Sequence, residues 1–378
     1  MKIAILTLPL HVNYGGNIQN FALQRFLKSL GHDVVTVHCK TYNETILKLA
    51  LSAVKRTLLK PKSQRHYIFT NSEKKEIAIN HDKFIDKYIE RTEELDYSSF
   101  KAYFEINKYD AIFVGSDQVW RPKYAPHLNS YFLGFLDIDS KTKKISYAAS
   151  FGSDEWEYSP EQEYECKNLA KRFDAISVRE SLAVDMCNEH FDVAVQHVLD
   201  PTMLLTKEDY IELFKDKNLP DNNGKIFNYT LDMDDDKIKL VDKISKKINR
   251  DIFSTYPNKT KKKTIFVKNI VDYQYPSVET WLKSFADAEF IVTDSFHGTV
   301  FSILFNKPFI ALCNKERGAA RFTSLLQMFN LESRLVTDCN DVDDDTLFSA
   351  IDYEHVNEIL SQLRVQSFKF IERALGTE

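Results

Sequence analysis

Short apolar runs alternate with amphipathic stretches along the whole chain, and this alternation constrains the fold more than any other feature of the sequence. The runs 3–8, 111–114, 145–149 and 175–178 have the length and composition of buried strands. Each ends in a polar or glycine-containing loop, and the first is followed by helical spacing over 18–30. Strands and crossover helices in this order form parallel sheets. The chain is therefore predicted to be α/β.

A second domain is predicted because the alternation restarts after a polar segment. Residues 207–224 are polar and bring proline, asparagine and glycine close together, so we place the hinge there. A chain of 378 residues is long enough for two cores. We expect an N-terminal domain over 1–205, a C-terminal domain over 206–350, and a helical stretch over 351–378 that crosses back onto the first domain.

Composition excludes several classes of protein. The net charge of −5 offers no basic field, so we expect no nucleic-acid partner. The 5 cysteines are scattered and lack C-x-x-C spacing, which argues against a disulfide framework or a zinc site and favours a reducing cytoplasm. No run approaches the roughly 18 apolar residues of a membrane span. The apolar run near the N-terminus is interpreted as a first strand, not a signal peptide.

The segment 291–301 has the pattern of a strand that stops at His297 and Gly298 and continues as a helix. Free amides at a helix N-terminus attract anions, and a histidine beside them can move a proton near neutral pH. This pairing predicts chemistry on a substrate that carries phosphate or carboxylate. In the alternative interpretation, Asp294 and Ser295 only cap the helix and His297 is a buried packing residue.

Two further loops follow predicted strands and suit a sugar. Residues 13–20 contain paired glycines at the start of a helix, which permits close approach of a ligand. They lack the G-x-G-x-x-G and G-x-x-x-x-G-K-[ST] spacings, so neither nicotinamide nor ATP is favoured. Residues 115–121 place Asp117, Gln118 and Trp120 at a strand end, where polar groups can bind hydroxyls and an indole can cover a ring. The alternatives are a plain turn, a capping Asp117 and a core Trp120.

Cationic residues lie at two strand ends. Arg179 follows the run 175–178, where a guanidinium can clamp a carboxylate or phosphate. Lys315, Arg317 and Arg321 follow the predicted strand 309–312 and form a second cluster. A structural ion pair with Glu180 and a solvated surface cluster are the corresponding alternatives.

Residues 46–65 form a basic amphipathic stretch. A membrane-surface helix and a helix packed on the first domain both fit this pattern, and packing is the interpretation that we favour.

Five motifs, taken together, resemble the polysaccharide pyruvyl transferase family over roughly residues 1–335. They are Asn-Tyr-Gly-Gly-Asn at 13–17, Gly-Ser-Asp-Gln-Val-Trp at 115–120, Ser-Val-Arg-Glu at 177–180, Asp-Pro-Thr at 200–202 and Asp-Ser-Phe-His-Gly-Thr at 294–299. The resemblance implies a GT-B-like fold of two Rossmann-type domains whose parallel sheets face each other across a cleft. It also implies transfer of a pyruvyl group from phosphoenolpyruvate to a sugar of a surface polysaccharide, usually as a cyclic ketal.

The resemblance further implies that His297 is the catalytic histidine and that Arg179 contacts the donor. We expect Asp117 to orient or deprotonate the incoming hydroxyl. Further donor contacts are expected from Ser295, Phe296, Gly298, Thr299, Arg317 and Arg321, and acceptor contacts from Tyr14, Gly15, Gly16, Asn17, Gln19, Ser116, Gln118 and Trp120. Neither a metal nor a resident cofactor is expected, since phosphoenolpyruvate is a co-substrate.

One position departs from the family pattern. Members with a well-understood donor site carry an arginine two residues before the histidine, where this chain has Ser295. Either Arg317 or Arg321 supplies the missing charge, or the donor differs. A GT-B glycosyltransferase that uses a nucleotide sugar and a non-catalytic sugar-binding protein of polysaccharide assembly are the two alternatives.

The acceptor's carrier and the location of the protein are left open by the sequence. The sugar acceptor is either free or lipid-linked. In the second case the stretch 46–65 would hold a cytoplasmic enzyme at the inner face of the membrane.

Overall fold

The computed structural model describes residues 1–41, 69–257, 269–313, 319–340 and 342–377. Within these residues the chain forms two parallel sheets, each flanked by helices, and the α/β prediction is confirmed. The basic stretch 46–65 lies outside the described residues. Among the helices that are described, none combines the length and hydropathy needed to cross a bilayer.

The first sheet has the strand order β3-β2-β1-β4-β5-β6-β7, with every pair parallel. Its order reverses between β1 and β4, where Leu6 pairs with Val114. Such a reversal opens a crevice at the carboxyl ends of the strands, where ligands bind in sheets of this kind. The strands are β1 (Lys2–Leu6), β2 (Asp33–Cys39), β3 (Arg91–Leu95), β4 (Ala111–Val114), β5 (Lys143–Ala149), β6 (Ala175–Val178) and β7 (Gln196–His197).

Helices cover both faces of this sheet. They are α1 (Tyr14–Ser29), α2 (Asn71–Tyr88), α3 (Phe100–Ile106), α4 (Pro160–Ala170) and α5 (Ser181–Met186), with shorter turns at Tyr97–Ser99, Leu128–Phe132, Cys187–Phe191 and Pro201–Met203. The first helix begins earlier than the periodicity predicts. Asn13 caps it, and its side chain accepts a hydrogen bond from the amide of Gly16 at 3.1 Å. The predicted glycine loop is therefore largely the first turn of α1.

The second sheet has the order β12-β11-β10-β8-β9, again fully parallel. Its order reverses between β8 and β10, where Thr293 pairs with Tyr229. The strands are β8 (Ile226–Tyr229), β9 (Ile252–Phe253), β10 (Phe290–Thr293), β11 (Phe309–Leu312) and β12 (Leu335–Val336). The helices from the hinge onward are α6 (Lys207–Ile211), α7 (Asp235–Ile248), α8 (Val278–Asp287), α9 (Phe296–Leu304), α10 (Ala320–Met328), α11 (Asp344–Phe348) and α12 (Tyr353–Leu375), with turns at Ile270–Tyr273 and Glu332–Arg334.

Alternate residues of each strand belong to different cores, because side chains of a strand point to opposite faces. Ile3 and Ile5 of β1 join one cluster, whereas Ala4 and Leu6 join another on the opposite face. The first of these clusters continues into the second domain, where it takes in Phe227 and neighbours on α8 and α9. A third cluster covers the other face of the second sheet, against α7. The two domains thus share a continuous apolar core.

The C-terminal helix α12 packs on the first domain. The ring of Phe368 stacks on Phe26 of α1 with centroids 4.7 Å apart, and Lys143 donates a hydrogen bond to the carbonyl of Ala374 at 3.1 Å. The amide of Leu199 donates to the Ser367 hydroxyl at 3.1 Å. These contacts attach α12 to α1, to β5 and to the segment after β7, all in the first domain.

Candidate active site

The carboxyl edges of the two sheets face each other, and the predicted elbow lies between them. β10 ends at Thr293, Ser295 caps the next helix, and α9 begins at Phe296. The Ser295 hydroxyl accepts a hydrogen bond from the amide of Gly298 at 3.3 Å. His297 follows in the first turn of α9 and is 8% exposed. The predicted strand, elbow and helix are all present.

His297 is held from the first domain by two contacts. Its Nε2 lies 3.7 Å from Oδ2 of Asp200, a charge contact longer than a hydrogen bond. Its ring also lies directly on Gly15 of α1, where a Cβ atom would come within 2.0 Å of Nδ1. Only glycine permits this approach. The glycine turn and the histidine elbow, which the sequence placed in separate domains, meet here.

The role of Asp294 differs from the capping alternative. Its carboxylate accepts hydrogen bonds from the amides of Leu231 at 2.5 Å and Asp232 at 3.1 Å, both beyond the end of β8. The ammonium of Lys237 on α7 lies 2.9 Å from the same carboxylate. Asp294 therefore ties the two strand ends that flank the reversal of the second sheet, and it does not cap α9.

Arg179 follows β6 and lies at the centre of a group of carboxylates. Its Nη1 donates to Asp200 at 3.0 Å, its Nη2 is 3.5 Å from Asp117, and its Nε is 4.0 Å from Glu180. The guanidinium lies over the ring of Phe296, 4.4 Å from its centroid. Burial lowers the pKa of Arg179, but the three carboxylates more than offset this, so its pKa is raised.

Asp200 connects Arg179 to His297. Its side chain is 1% exposed, and Oδ1 accepts hydrogen bonds from the amide and hydroxyl of Thr202 at 3.0 and 2.7 Å. Burial raises the pKa of Asp200, whereas His297, Arg179 and Thr202 lower it, and the net shift is well below the usual range. Asp200 belongs to the Asp-Pro-Thr motif at 200–202, for which the sequence predicted no separate role. The strand before it, β7, has only two residues and ends at His197, so it left little signal in the sequence.

Arg321, on α10 of the second domain, belongs to the same electrostatic group. Burial lowers its pKa to about 10, followed by repulsion from Arg179, while Glu180 and Asp117 act in the opposite direction. Domain contacts on this side include a hydrogen bond from the amide of Ser181 to the Ser324 hydroxyl at 2.8 Å. The structure therefore places one predicted second cation beside Arg179. The other predicted cation, Arg317, lies outside the described residues.

Several predicted acceptor residues are occupied by internal hydrogen bonds. Gln19 accepts from the amide of Ser116 at 3.0 Å and donates to Thr7 and to the carbonyl of Gly16 at 3.1 and 3.0 Å. The Ser116 hydroxyl donates to Ala148 at 3.1 Å and lies 3.4 Å from Asp200. These bonds brace the carboxyl ends of β1 and β4. Gln19 and Ser116 support the site's backbone, and they do not present free groups to a sugar.

Two aromatic residues predicted to bind acceptor are packing residues instead. Trp120 is 0% exposed, stacks on Phe132 at 4.8 Å, and donates its indole N–H to Tyr131 at 3.1 Å. Tyr14 stacks on Trp281 of the second domain at 5.3 Å. The ring faces of both residues are covered by protein, so neither ring is available to stack on a sugar in this structure. For Trp120, the core alternative is correct.

Gly298 and Thr299 also have structural functions. The amide of Gly298 is taken by Ser295, and a Cβ atom at Gly298 would lie 2.1 Å from the hydroxyl of Thr293. The Thr299 hydroxyl donates to the carbonyl of Ser295 at 3.2 Å, and its side chain is buried. The Gly298 amide and the Thr299 hydroxyl are thus both engaged within the first turns of α9, and their contact with a donor stays a prediction.

The other predicted acceptor residues differ in how far they are exposed to solvent. Asn17 is buried and donates from Nδ2 to the carbonyl of His11 at 2.8 Å. Gln118 is half-buried and accepts a hydrogen bond from Arg121 at 3.1 Å. Gly16 lies in the first turn of α1 beside Asn13. Of these three, Gln118 presents a partly open side chain at the edge of the first sheet.

His11 was missed by sequence reasoning. It follows β1, its side chain is open to solvent, and burial lowers its pKa while Asp117 acts in the opposite direction. The signal was weak, since a lone histidine between a strand and a helix is common. Only the pairing of β1 with β4 brings it to the same edge as Asp117.

Comparison with known families decides the assignment. A family model described as polysaccharide pyruvyl transferase matches residues 13–316. The chain belongs to the polysaccharide pyruvyl transferase family. No curated protein sequence matches significantly.

Some solved structures are similar to this pyruvyl transferase family member over nearly their whole length. The UDP-GlcNAc 2-epimerase of Methanocaldococcus jannaschii, solved with UDP-GlcNAc and UDP, has a TM-score of 0.50 at 12% identity and covers 100% of both chains. MnaA of S. aureus, solved with UDP, has a TM-score of 0.49 at 13% identity over 100% of this chain and 97% of its own. The predicted GT-B-like fold of two Rossmann-type domains is confirmed. Identities this low say nothing about substrate.

The described residues were also compared with the ligand groups that hold metal ions in proteins. Within the ranges that the structure describes, no group of three His, Cys, Asp or Glu side chains is arranged to hold a metal ion.

Proposed function

We propose that this protein transfers a pyruvyl group from phosphoenolpyruvate to a sugar of a surface polysaccharide or of its lipid-linked precursor. The observation that carries the proposal is the position of His297. The imidazole lies at the N-terminus of α9, on Gly15, and 3.7 Å from Asp200, so groups of both domains fix it at the cleft. Membership of the family supports the same conclusion.

The chemistry of the donor requires an acid at this point. Protonation of the methylene carbon of phosphoenolpyruvate forms a C–H bond, breaks the carbon–carbon π bond and leaves an oxocarbenium-like centre at C2. A sugar hydroxyl then attacks C2 and loses its proton to a base. A second hydroxyl of the same sugar attacks C2 as the C–O bond to phosphate breaks, and its proton leaves with the phosphate. His297 in its protonated form is the proposed acid, and the Asp200 carboxylate lies 3.7 Å from its Nε2.

The donor's negative charges need cations, and Arg179 and Arg321 are the proposed ones. The contact of Arg179 with Asp117 is 3.5 Å long, at the limit of a hydrogen bond, so an incoming carboxylate or phosphate can displace it. The shorter contact with Asp200 holds the guanidinium in place meanwhile. Arg321 would supply the charge that Ser295 lacks. The positive end of α9 adds a further attraction for anions.

Phosphate release tests the proposal. The purified chain is incubated with phosphoenolpyruvate and with acceptors that contain galactose, mannose or hexosamine, and inorganic phosphate is followed with time. We expect acceptor-dependent release. Release with none of these acceptors, together with thermal stabilisation by UDP, GDP or CMP in place of phosphoenolpyruvate, would favour a nucleotide-sugar glycosyltransferase instead.

A histidine variant identifies the acid. His297→Gln should lower kcat by about 10²- to 10⁴-fold, the usual contribution of a general acid. The matched control is His355→Gln, since His355 is exposed on α12, far along the chain from the elbow. The control should retain full turnover. Equal rates for both variants would remove His297 from the mechanism.

A further inference from the structure

His11 and Asp117 are placed together by the sheet. His11 follows β1 and Asp117 follows β4, and these strands are parallel neighbours with Leu6 opposite Val114. Since the carboxyl ends of adjacent parallel strands meet at one edge, the two side chains share the crevice of the first sheet. The imidazole is open to solvent, whereas Asp117 is 8% exposed. His11 is thus the accessible member of the pair.

The backbone of His11 is fixed although its side chain is accessible. Its carbonyl accepts hydrogen bonds from the amide of Asn13 at 2.7 Å and from Nδ2 of Asn17 at 2.8 Å. Asn17 also contacts Nδ1 of His81 on α2 at 2.9 Å. These hydrogen bonds fix the backbone of His11 in the loop before α1, four residues along the chain from Gly15, on which the His297 ring lies.

The charges around His11 favour a neutral imidazole that can accept a proton. Burial lowers the pKa of His11, and the Asp117 carboxylate opposes the shift. Three further charged or titratable groups interact with this pair among the described residues: Arg179 and Arg321 with Asp117, and His81 with His11. Burial and then His11 lower the pKa of His81 to about 3, so His81 is uncharged near neutral pH. Asp117 thus interacts with the His11 imidazole and with the Arg179 guanidinium.

Two protons move at different atoms in the proposed reaction. His297 gives one to the methylene carbon of the donor, and the acceptor oxygen loses the other to a base beside it. Asp117 is the base expected from the sequence, but its carboxylate is buried beside Arg179, which engages it. A carboxylate in this setting is better suited to stabilise an imidazolium than to collect the proton itself.

We infer that His11 is the general base of the acceptor side and that Asp117 is its positioning residue, an inference that rests on the proposed function. The acceptor O–H bond breaks as its oxygen bonds to C2, and the proton passes to the ring of His11. Asp117 stabilises the imidazolium that results. Each domain then supplies one histidine for one proton transfer. His297 donates a proton to the methylene carbon of the donor, and His11 accepts a proton from the acceptor hydroxyl.

Turnover as a function of pH tests the inference. In His11→Gln, kcat for acceptor-dependent phosphate release should fall by about 10²- to 10⁴-fold, and the acidic limb of the pH profile should disappear. Phosphoenolpyruvate affinity, measured by calorimetry, should stay within about twofold, because the base does not hold the donor. In Asp117→Asn the acidic limb should move to lower pH, since the carboxylate raises the pKa of His11.

The control is His32→Gln, whose imidazole lies before β2 at the opposite edge of the sheet and contacts the N-terminal amine at 3.4 Å. It should match the unaltered chain in kcat and profile, and thermal unfolding should show that each variant is folded. A His11→Gln variant with unchanged kcat and an unchanged acidic limb would overturn the inference alone. No phosphate release from the unaltered chain would overturn the proposed function, and the inference with it.

Discussion

Gly15 and His297 touch across the domain boundary: a Cβ atom built on Gly15 would lie 2.0 Å from Nδ1 and 2.5 Å from Cγ of the imidazole. The glycine belongs to α1 and the histidine to α9, so the first turns of two helices in different domains are packed against each other. The orientation of the imidazole therefore depends on a missing side chain in the other domain. The position of the His297 ring in the site therefore depends on how the two domains pack against each other.

Gly15→Ala should displace His297 and reduce turnover. The methyl group would overlap the ring, and overpacking of this kind costs about 1 to 3 kcal/mol of stability. The measurements are kcat for phosphate release and the free energy of unfolding in urea. We expect both to fall, with the rate lowered by at least about tenfold because a displaced acid is misaligned.

The neighbouring glycine provides the control. In Gly16→Ala the new Cβ would meet only the side chain of Asn13, with its nearest atom at 3.0 Å. A shift of a few tenths of an ångström accommodates it, and alanine favours the helix by up to about 1 kcal/mol. Similar losses in the two variants would show that the contact with His297 is unimportant.

Asp200→Asn should destabilise the fold and remove the negative charge that lies 3.7 Å from His297. The substitution removes the negative charge that faces Arg179 at 3.0 Å, in a pair whose side chains are both 1% exposed. Breaking a buried pair on one side costs about 3 to 5 kcal/mol. Asp192→Asn is the control, because its pair with Lys171 is exposed and its loss should leave stability close to that of the unaltered chain.

The same substitution has a predictable pH dependence. Burial raises the pKa of Asp200, but His297 and Arg179 lower that pKa by more than burial raises it. The folded pKa of Asp200 therefore lies below the unfolded value of about 3.9. The stability that this carboxylate contributes is therefore complete above about pH 4 and is lost as pH falls below it. Urea unfolding of the two chains between pH 6 and pH 3 should show their difference shrinking in acid. A constant difference would contradict this assignment.

Local patterns predicted much of the fold because they depend on local physics. The periodicity of apolar residues identified the strands that carry the site and the elbow at His297, since a strand and a helix each impose their own spacing. Asn13 was a helix start signal of the same local kind, although the helix was placed later than Tyr14, where it begins. The predicted start of α1 was about one helical turn too late, because the capping role of Asn13 was not used.

Contacts between distant parts of the chain were harder to anticipate. Whether Trp120 faces a ligand or the core depends on Phe132 and its neighbours, and loop composition carries no information about that. The pairing of Asp200 with His297 depends on how the two domains close. The sequence predicted an elbow at His297 and a motif at 200–202, but it held nothing about the distance between His297 and Asp200.

Lys237→Met should loosen the elbow. Asp294 would keep its two backbone hydrogen bonds but lose the cation, in a pair whose side chains are 8% and 0% exposed. We expect a loss of about 3 to 5 kcal/mol in stability and a lower kcat, with partial rescue by Lys237→Arg. In the control, Lys239→Met removes an exposed partner of Asp236 and should leave stability close to that of the unaltered chain.

Trp120→Phe separates core packing from sugar binding. The change removes part of a fully buried ring and leaves the carbonyl of Tyr131 without the indole donor. We expect a loss of about 1 to 3 kcal/mol in unfolding free energy and an unchanged KM for the acceptor. A raised acceptor KM in a chain of normal stability would instead restore the sugar-binding role of the indole.

Ser295 offers a test of whether the residue serves the helix alone or lies beside the donor. In Ser295→Ala the amide of Gly298 loses its acceptor, and the missing cap should cost about 0.5 to 2 kcal/mol. In Ser295→Asp the cap is kept, so stability should be close to that of the unaltered chain. The added negative charge would repel an anionic donor, and the KM for phosphoenolpyruvate should rise at low salt and recover partly at high salt. A KM that Ser295→Asp leaves unchanged would place the donor away from the start of α9.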